Sequence, residues 1–89
     1  MAAYSVQVTY EHGRPLAGYI YLQGEPGQRA SRTEHVSPDV LIDYSDQNVP
    51  LGIEVLAPGR VSLAEIHEAF DRIGLERPSA RDLQPLQAA

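Results

Sequence analysis

Val40-Leu41-Ile42-Asp43-Tyr44, a polar loop Ser45-Asp46-Gln47-Asn48-Val49-Pro50, then Leu51-Gly52-Ile53-Glu54-Val55-Leu56: this stretch decides the fold. Two aliphatic and β-branched runs flank a loop dense in turn formers, which predicts two strands in an antiparallel hairpin. Strand alternation sets Val40, Ile42, Ile53 and Val55 on one face. Leu41, Asp43, Glu54 and Leu56 fall on the other. The register stays open. With Asp43 opposite Gly52, the two carboxylates are diagonal. With Asp43 opposite Glu54, like charges meet directly, which destabilises a sheet.

Upstream, Tyr4-Ser5-Val6-Gln7-Val8-Thr9-Tyr10 alternates strictly and predicts a strand. Gly13 and Pro15 break the pattern, and a second strand is expected over 17–22, giving a hairpin with a loop of roughly three to five residues. Gly24-Glu25-Pro26-Gly27 predicts a turn, with Pro and Gly at the positions where a turn wants them. Residues 28–36 alternate weakly, with Ala30, Arg32, Glu34 and Val36 on one side, and predict an exposed third strand. Ser37-Pro38-Asp39 is a further turn.

Downstream, Pro58-Gly59 ends the β portion. Ser62-Leu63-Ala64-Glu65 spells a capping box, in which each of Ser62 and Glu65 satisfies the other's backbone N–H. Leu63, Ile66, Phe70 and Ile73 then recur at three and four residues and predict a helix over 63–73. Glu68 and Arg72 form an i, i+4 pair on the opposite face, and Gly74 supplies the stop. Ser79-Ala80-Arg81-Asp82-Leu83 can start one more helical turn in an otherwise loose end.

The pattern predicts an α+β fold: an antiparallel β-meander of four to five strands with one C-terminal α-helix packed on one face. One domain is expected over 1–74, with a loose, flexible tail over 75–89. The helix rests on Val6, Val8, Val40, Ile42, Ile53 and Val55. The other face carries Ser5, Gln7 and Thr9 but also Tyr19, Tyr21, Leu41 and Leu56. A face that is half apolar marks an interface, so a homodimer or higher homo-oligomer is expected.

The chain has 89 residues, seven Arg and no Lys, 12 Asp plus Glu and a formal net charge of −5. That length accommodates one domain with a small core. With no cysteine, disulfides, thiolate metal centres and cysteine nucleophiles are excluded. No apolar run approaches the ~20 residues of a membrane span, and no signal peptide is read, so a cytoplasmic protein is expected. An acidic chain without clustered Lys and Arg is not expected to bind nucleic acid directly. It suits a basic protein partner.

The Asp43-Tyr44 strand, its polar loop and the Gly52-Ile53-Glu54-Val55-Leu56 strand resemble the bacterial "domain of unknown function 2283" family. Tyr19-Ile20-Tyr21-Leu22 after Tyr10-Glu11 resembles that family's first hairpin, so the likeness runs over about residues 4–60. Two departures stand out. Ala17-Gly18 occupies the place of an acidic residue, and the helix and tail exceed the usual core. The resemblance implies no assigned activity, and it implies antitoxin-like behaviour, as suspected for some members, toward a small toxin.

Asp43 and Glu54 lead the residues with chemical potential. Close carboxylates can bind a cation or share a proton; the plainer reading pairs each with Arg29 or Arg32, or with solvent. Gly within a strand marks a close approach, and Tyr44 or Tyr21 over Gly52 would explain it. His67 and Asp71 share a helix face at i, i+4, yet two ligands do not make a metal site, and His12 and His35 belong to distant segments. No nucleophile elbow or phosphate loop is present. The residues therefore predict a non-enzymatic protein–protein interaction module without cofactor or metal. Its interface candidates are Tyr19, Tyr21, Leu41, Asp43, Glu54 and Leu56. The alternative is a small ligand- or metal-binding protein or enzyme using Asp43 and Glu54.

Overall fold

A computed structural model describes residues 4–22 and 29–87. Five strands form one antiparallel sheet: β1 (Ser5–Glu11), β2 (Arg14–Tyr21), β3 (Arg32–Ser37), β4 (Val40–Tyr44) and β5 (Pro50–Val55). A 3-10 turn at Pro58–Arg60 leads to α1 (Leu63–Arg72), and a short α2 (Gln84–Gln87) follows. The sheet order is β1-β2-β5-β4-β3. The three hairpins join consecutive strands, and β5 rather than β3 sits beside β2.

The β4–β5 hairpin has the diagonal register: Asp43 lies opposite Gly52 and Leu41 opposite Glu54. The β1–β2 hairpin is tighter than the expected loop of three to five residues. His12 and Gly13 have φ of 52° and 78°, the two positive values that a two-residue type I′ turn requires, and Glu11 pairs with Arg14. Pro15 is inside β2, opposite Tyr10. It is tolerated there because β5 pairs only with Gly18–Tyr21, so no neighbour on that side needs the missing N–H. The turn expected at Gly24–Gly27 lies outside the described residues. The third strand occupies 32–37 rather than 28–36.

One face of the sheet is the core. Ile20, Val40, Ile42, Ile53 and Val55 are fully buried, with Val6 and Val8 packed against them. Ile66, Ala69 and Phe70 of α1 cover them. A ten-residue helix is marginal alone, so this packing and its caps hold it. Ser62 accepts from the Glu65 N–H at 3.2 Å, and the Glu65 carboxylate accepts from the Ser62 N–H at 3.2 Å. At the other end Gly74 has φ 70°. Gly74 N–H donates to Asp71 C=O, and Leu75 N–H to Phe70 C=O, a Schellman closure. Ser37 donates to the same Glu65 carboxylate at 2.9 Å, tying the helix start to the end of β3.

The chain beyond Gly74 follows α1 as a tail, but residues 78–86 are not loose. Pro78 is buried, and Leu83 and Leu86 are 0% and 1% exposed within the main core. Ser79 caps the turn by accepting from Asp82 N–H at 3.1 Å, and Leu86 packs onto Gly18, where a Cβ would collide with it. A Gln- and Ala-rich sequence broken by Pro78 and Pro85 hides this, because Leu83 and Leu86 are a single i, i+3 pair and too few apolar positions to establish a period.

Candidate functional site

The face of the sheet away from α1 carries a connected polar and aromatic array. Tyr19 from β2 donates its hydroxyl to Asp43 Oδ2 at 3.0 Å. Thr33 from β3 donates to Asp43 Oδ1 at 2.8 Å. Both carboxylate oxygens of Asp43 are thus engaged, one by Tyr19 reaching across β5 from β2 and the other by Thr33 of the adjacent β3. Tyr21 donates to Gln7 Oε1 on β1 at 2.8 Å, and its ring meets Tyr19 edge-on with centroids 4.8 Å apart. The array crosses the whole sheet from Gln7 to Thr33.

Gly52 makes this geometry possible. A Cβ there would collide with the Tyr19 ring, so the ring passes directly over Gly52 on its way to Asp43. The close approach expected at Gly52 is therefore real, and Tyr19 makes it, rather than Tyr44 or Tyr21. Tyr44 belongs to the other face, where Arg32 stacks on its ring at 4.1 Å. Arg32 also faces Glu34 at 3.6 Å. The expectation that Asp43 pairs with Arg29 or Arg32 is thereby replaced by hydroxyl donors.

The Tyr19 phenol holds its proton well above the ordinary tyrosine range. Burial is the main cause, followed by its hydrogen bond to Asp43 and the negative charges of Asp43 and Glu54. A carboxylate that accepts two hydroxyl bonds and keeps its tyrosine donor protonated is set up as a fixed structural anchor.

Glu54 is placed differently. It stands opposite Tyr19 on β2 and Leu41 on β4. Among the described residues nothing hydrogen-bonds or ion-pairs with its half-buried carboxylate. A shallow groove of about 210 Å³ opens beside it, lined by Gln7, Thr9, Ala17, Gly18, Tyr19 and Glu54. Tyr21 is 44% exposed and Leu41 half-buried on the same face, while Leu56, 40% exposed, lies one residue past the end of β5.

The structure brings Tyr19, Tyr21, Leu41, Asp43 and Glu54 onto one surface. It adds Thr33 and Gln7, of which Thr33 had no signal beyond weak alternation in a polar segment. His67 and Asp71 form no joint site. Asp71 is held by Arg77, whose Nε donates to it at 2.9 Å, and that hydrogen bond keeps the carboxyl below the usual range. The His67 Nε2 is buried without a partner. Among the described residues no three His, Asp or Glu gather in a way that could hold a metal, and no helix is long and apolar enough to cross a membrane.

Residues 17–57 match the model of a family described as a protein of unknown function, DUF2283. The matched segment runs from β2 to the residues just after β5, so it contains the Tyr19, Asp43, Gly52 and Glu54 positions. No curated protein and no solved structure matches the chain.

Proposed function

We propose, starting from the membership of this chain in the DUF2283 family over residues 17–57, that it is a non-catalytic protein–protein interaction module. Its open sheet face receives a basic side chain of a protein partner. The observation that carries the reading is the contrast between the two carboxylates. Asp43 has each oxygen engaged, by Tyr19 and by Thr33, whereas Glu54 faces a groove with no partner of its own among the described residues.

The groove suits an Arg or Lys side chain. Glu54 supplies the charge, and the Tyr19 ring beside it supplies an aromatic surface for a cation. Thr9 offers a hydroxyl acceptor. A net charge of −5 steers a basic partner toward the whole molecule. A small basic toxin is the partner class that this reading favours, with the chain acting in an antitoxin-like way. A cytoplasmic location belongs to the same proposal.

The test uses backbone NMR of the full chain titrated with a tri-arginine peptide, and with a tri-alanine peptide as control. Shifts should concentrate at Gln7, Tyr19 and Glu54, weaken with added salt and fall at least several-fold in Glu54→Gln. Shifts spread evenly over the acidic surface, or unchanged by Glu54→Gln, would refute it.

A further inference from the structure

The two edges of the sheet are built differently, and the difference follows from hydrogen-bond parity. Along an antiparallel strand, residues bond alternately to the neighbour on one side and the neighbour on the other. Leu22 N–H donates to Leu51 C=O at 3.1 Å. Ile20 and Gly18, at the same parity, therefore bond to their β5 partners Ile53 and Val55. Tyr21, Tyr19 and Ala17 turn to β1, where they face Ser5, Gln7 and Thr9. Val6 and Val8 are left with N–H and C=O directed out of the sheet. Among the described residues nothing bonds to those groups.

The opposite edge checks the rule. Leu56 N–H donates to Asp39 C=O at 2.8 Å, so Glu54 and Gly52 bond to Leu41 and Asp43. Ile42 and Tyr44 then bond to Glu34 and Arg32 of β3, which turns His35 outward. There the His35 C=O accepts from Arg72 Nη1 at 3.4 Å. That edge is protected by this contact, by the charges of Arg32 and Glu34, and by an irregular register between His35 and Ser37, the devices that keep an edge from pairing. β1 has none of them over Ser5–Thr9. It carries no charge and no proline, and its register is regular until the break between Thr9 and Tyr10.

We infer that β1 pairs antiparallel with β1 of a second copy about a two-fold axis through Gln7, so that one sheet runs through both chains. In this register Val6 of each copy exchanges its free backbone bonds with Val8 of the other. Val meets Val on the helix face, and Ser5 meets Thr9 on the open face. The pairing uses the whole uncharged stretch and stops where the register breaks. Axes through Val6 or Val8 would satisfy the same parity but run β1 into the irregularity or off its start. Because the paired stretch has no charged side chain, two chains of charge −5 meet where like charges do not touch. α2 lies against β1, so its copy is the neighbour across the axis and extends the buried area beyond what two short strands supply. The surface is the backbone edge of β1; it adjoins the groove at Glu54, which Gln7 and Thr9 also line, but it does not use the Glu54 carboxylate.

The register makes a sharp test because the chain has no cysteine. Directly opposed residues of a non-hydrogen-bonded pair have Cα atoms about 4.5 Å apart, within reach of a disulfide. Gln7→Cys should therefore form a disulfide-linked dimer under mild oxidation. Ser5→Cys alone should not, while an equimolar mixture of Ser5→Cys and Thr9→Cys should. Sedimentation equilibrium of the unmodified chain should give twice the monomer mass at micromolar concentration. Val8→Pro, which removes an outward N–H and no bond to β2, should give the monomer with an unchanged far-UV CD spectrum. If Val8→Pro fails to fold, the cysteine variants decide. A monomer at all concentrations, or a dimer in which Ser5→Cys links as readily as Gln7→Cys, would overturn the inference.

Discussion

Gly52→Ala is the most searching perturbation of the open face. Gly52 does not need glycine for its backbone, since among the described residues positive φ at glycine occurs only at Gly13 and Gly74. It needs glycine for space, because the new methyl would occupy the position of the Tyr19 ring. Two responses are open to the molecule. If the backbone yields, overpacking costs about 1–3 kcal/mol. If the ring swings away, Asp43 loses one charge-assisted hydrogen bond, about 1.5–3 kcal/mol, and Tyr21 loses its ring partner, about 0.5–1.5 kcal/mol. Replacing Gly by Ala in a strand returns about 0.5–1 kcal/mol. The site is half exposed, which favours the lower ends, so a net loss of about 2 kcal/mol is expected. For a domain of this size that lowers Tm by roughly 8–16 °C. Urea denaturation followed by CD gives the loss directly, and a double-mutant cycle gives its cause. In a Tyr19→Ala background the collision is absent, and Gly52→Ala should be neutral or slightly stabilising. The same loss in both backgrounds would refute the argument that Tyr19 is what Gly52 accommodates.

The tail and the titrating groups give further tests. Leu83→Ala and Leu86→Ala should each destabilise by about 2–4 kcal/mol, as for full burial of the side chain, measured by the same urea transitions; a loose tail would show no change. The folded-state carboxyls of Glu65 and Asp71 lie below their ordinary values, through the Ser37 bond to Glu65 and the Arg77 bond to Asp71. The folded state therefore holds fewer protons than the unfolded chain, and the contribution is present above the unfolded carboxyl range and lost as pH falls through the folded values. The Tyr19, Tyr4 and Tyr44 phenols are raised, each chiefly by burial. Their contribution is complete below about pH 10 and is lost as pH rises through the folded values. Urea midpoints across pH should fall at both extremes, with Tyr19→Phe flattening the alkaline limb and Ser37→Ala the acid one.

The central hairpin and the helix were legible because their signals are local. Val40–Tyr44 and Leu51–Leu56 alternate over a few residues, and the Ser62–Glu65 box and Gly74 act within one helical turn. The shared face of Tyr19, Tyr21, Asp43 and Glu54 followed from alternation too. Their chemistry did not. That Asp43 meets Thr33 and Tyr19 rather than an arginine depends on which strands flank β4 and in what register, and those pairings join residues far apart in the chain. The His12-Gly13 turn escaped for a smaller reason: His at the first positive φ lacks the compositional signature that Asn or Asp would carry.

By itself, then, the sequence determined the strands, the two faces of the sheet, the capped helix and the exclusion of cysteine chemistry, all properties of residue type and short-range spacing. Tertiary structure decided the order β1-β2-β5-β4-β3, the seating of Tyr19 over Gly52, the partners of Asp43 and the burial of Leu83 and Leu86. Each of these depends on the packing of distant segments. An alternation pattern says which way a side chain faces, but only the neighbouring strand, once placed, says what it meets.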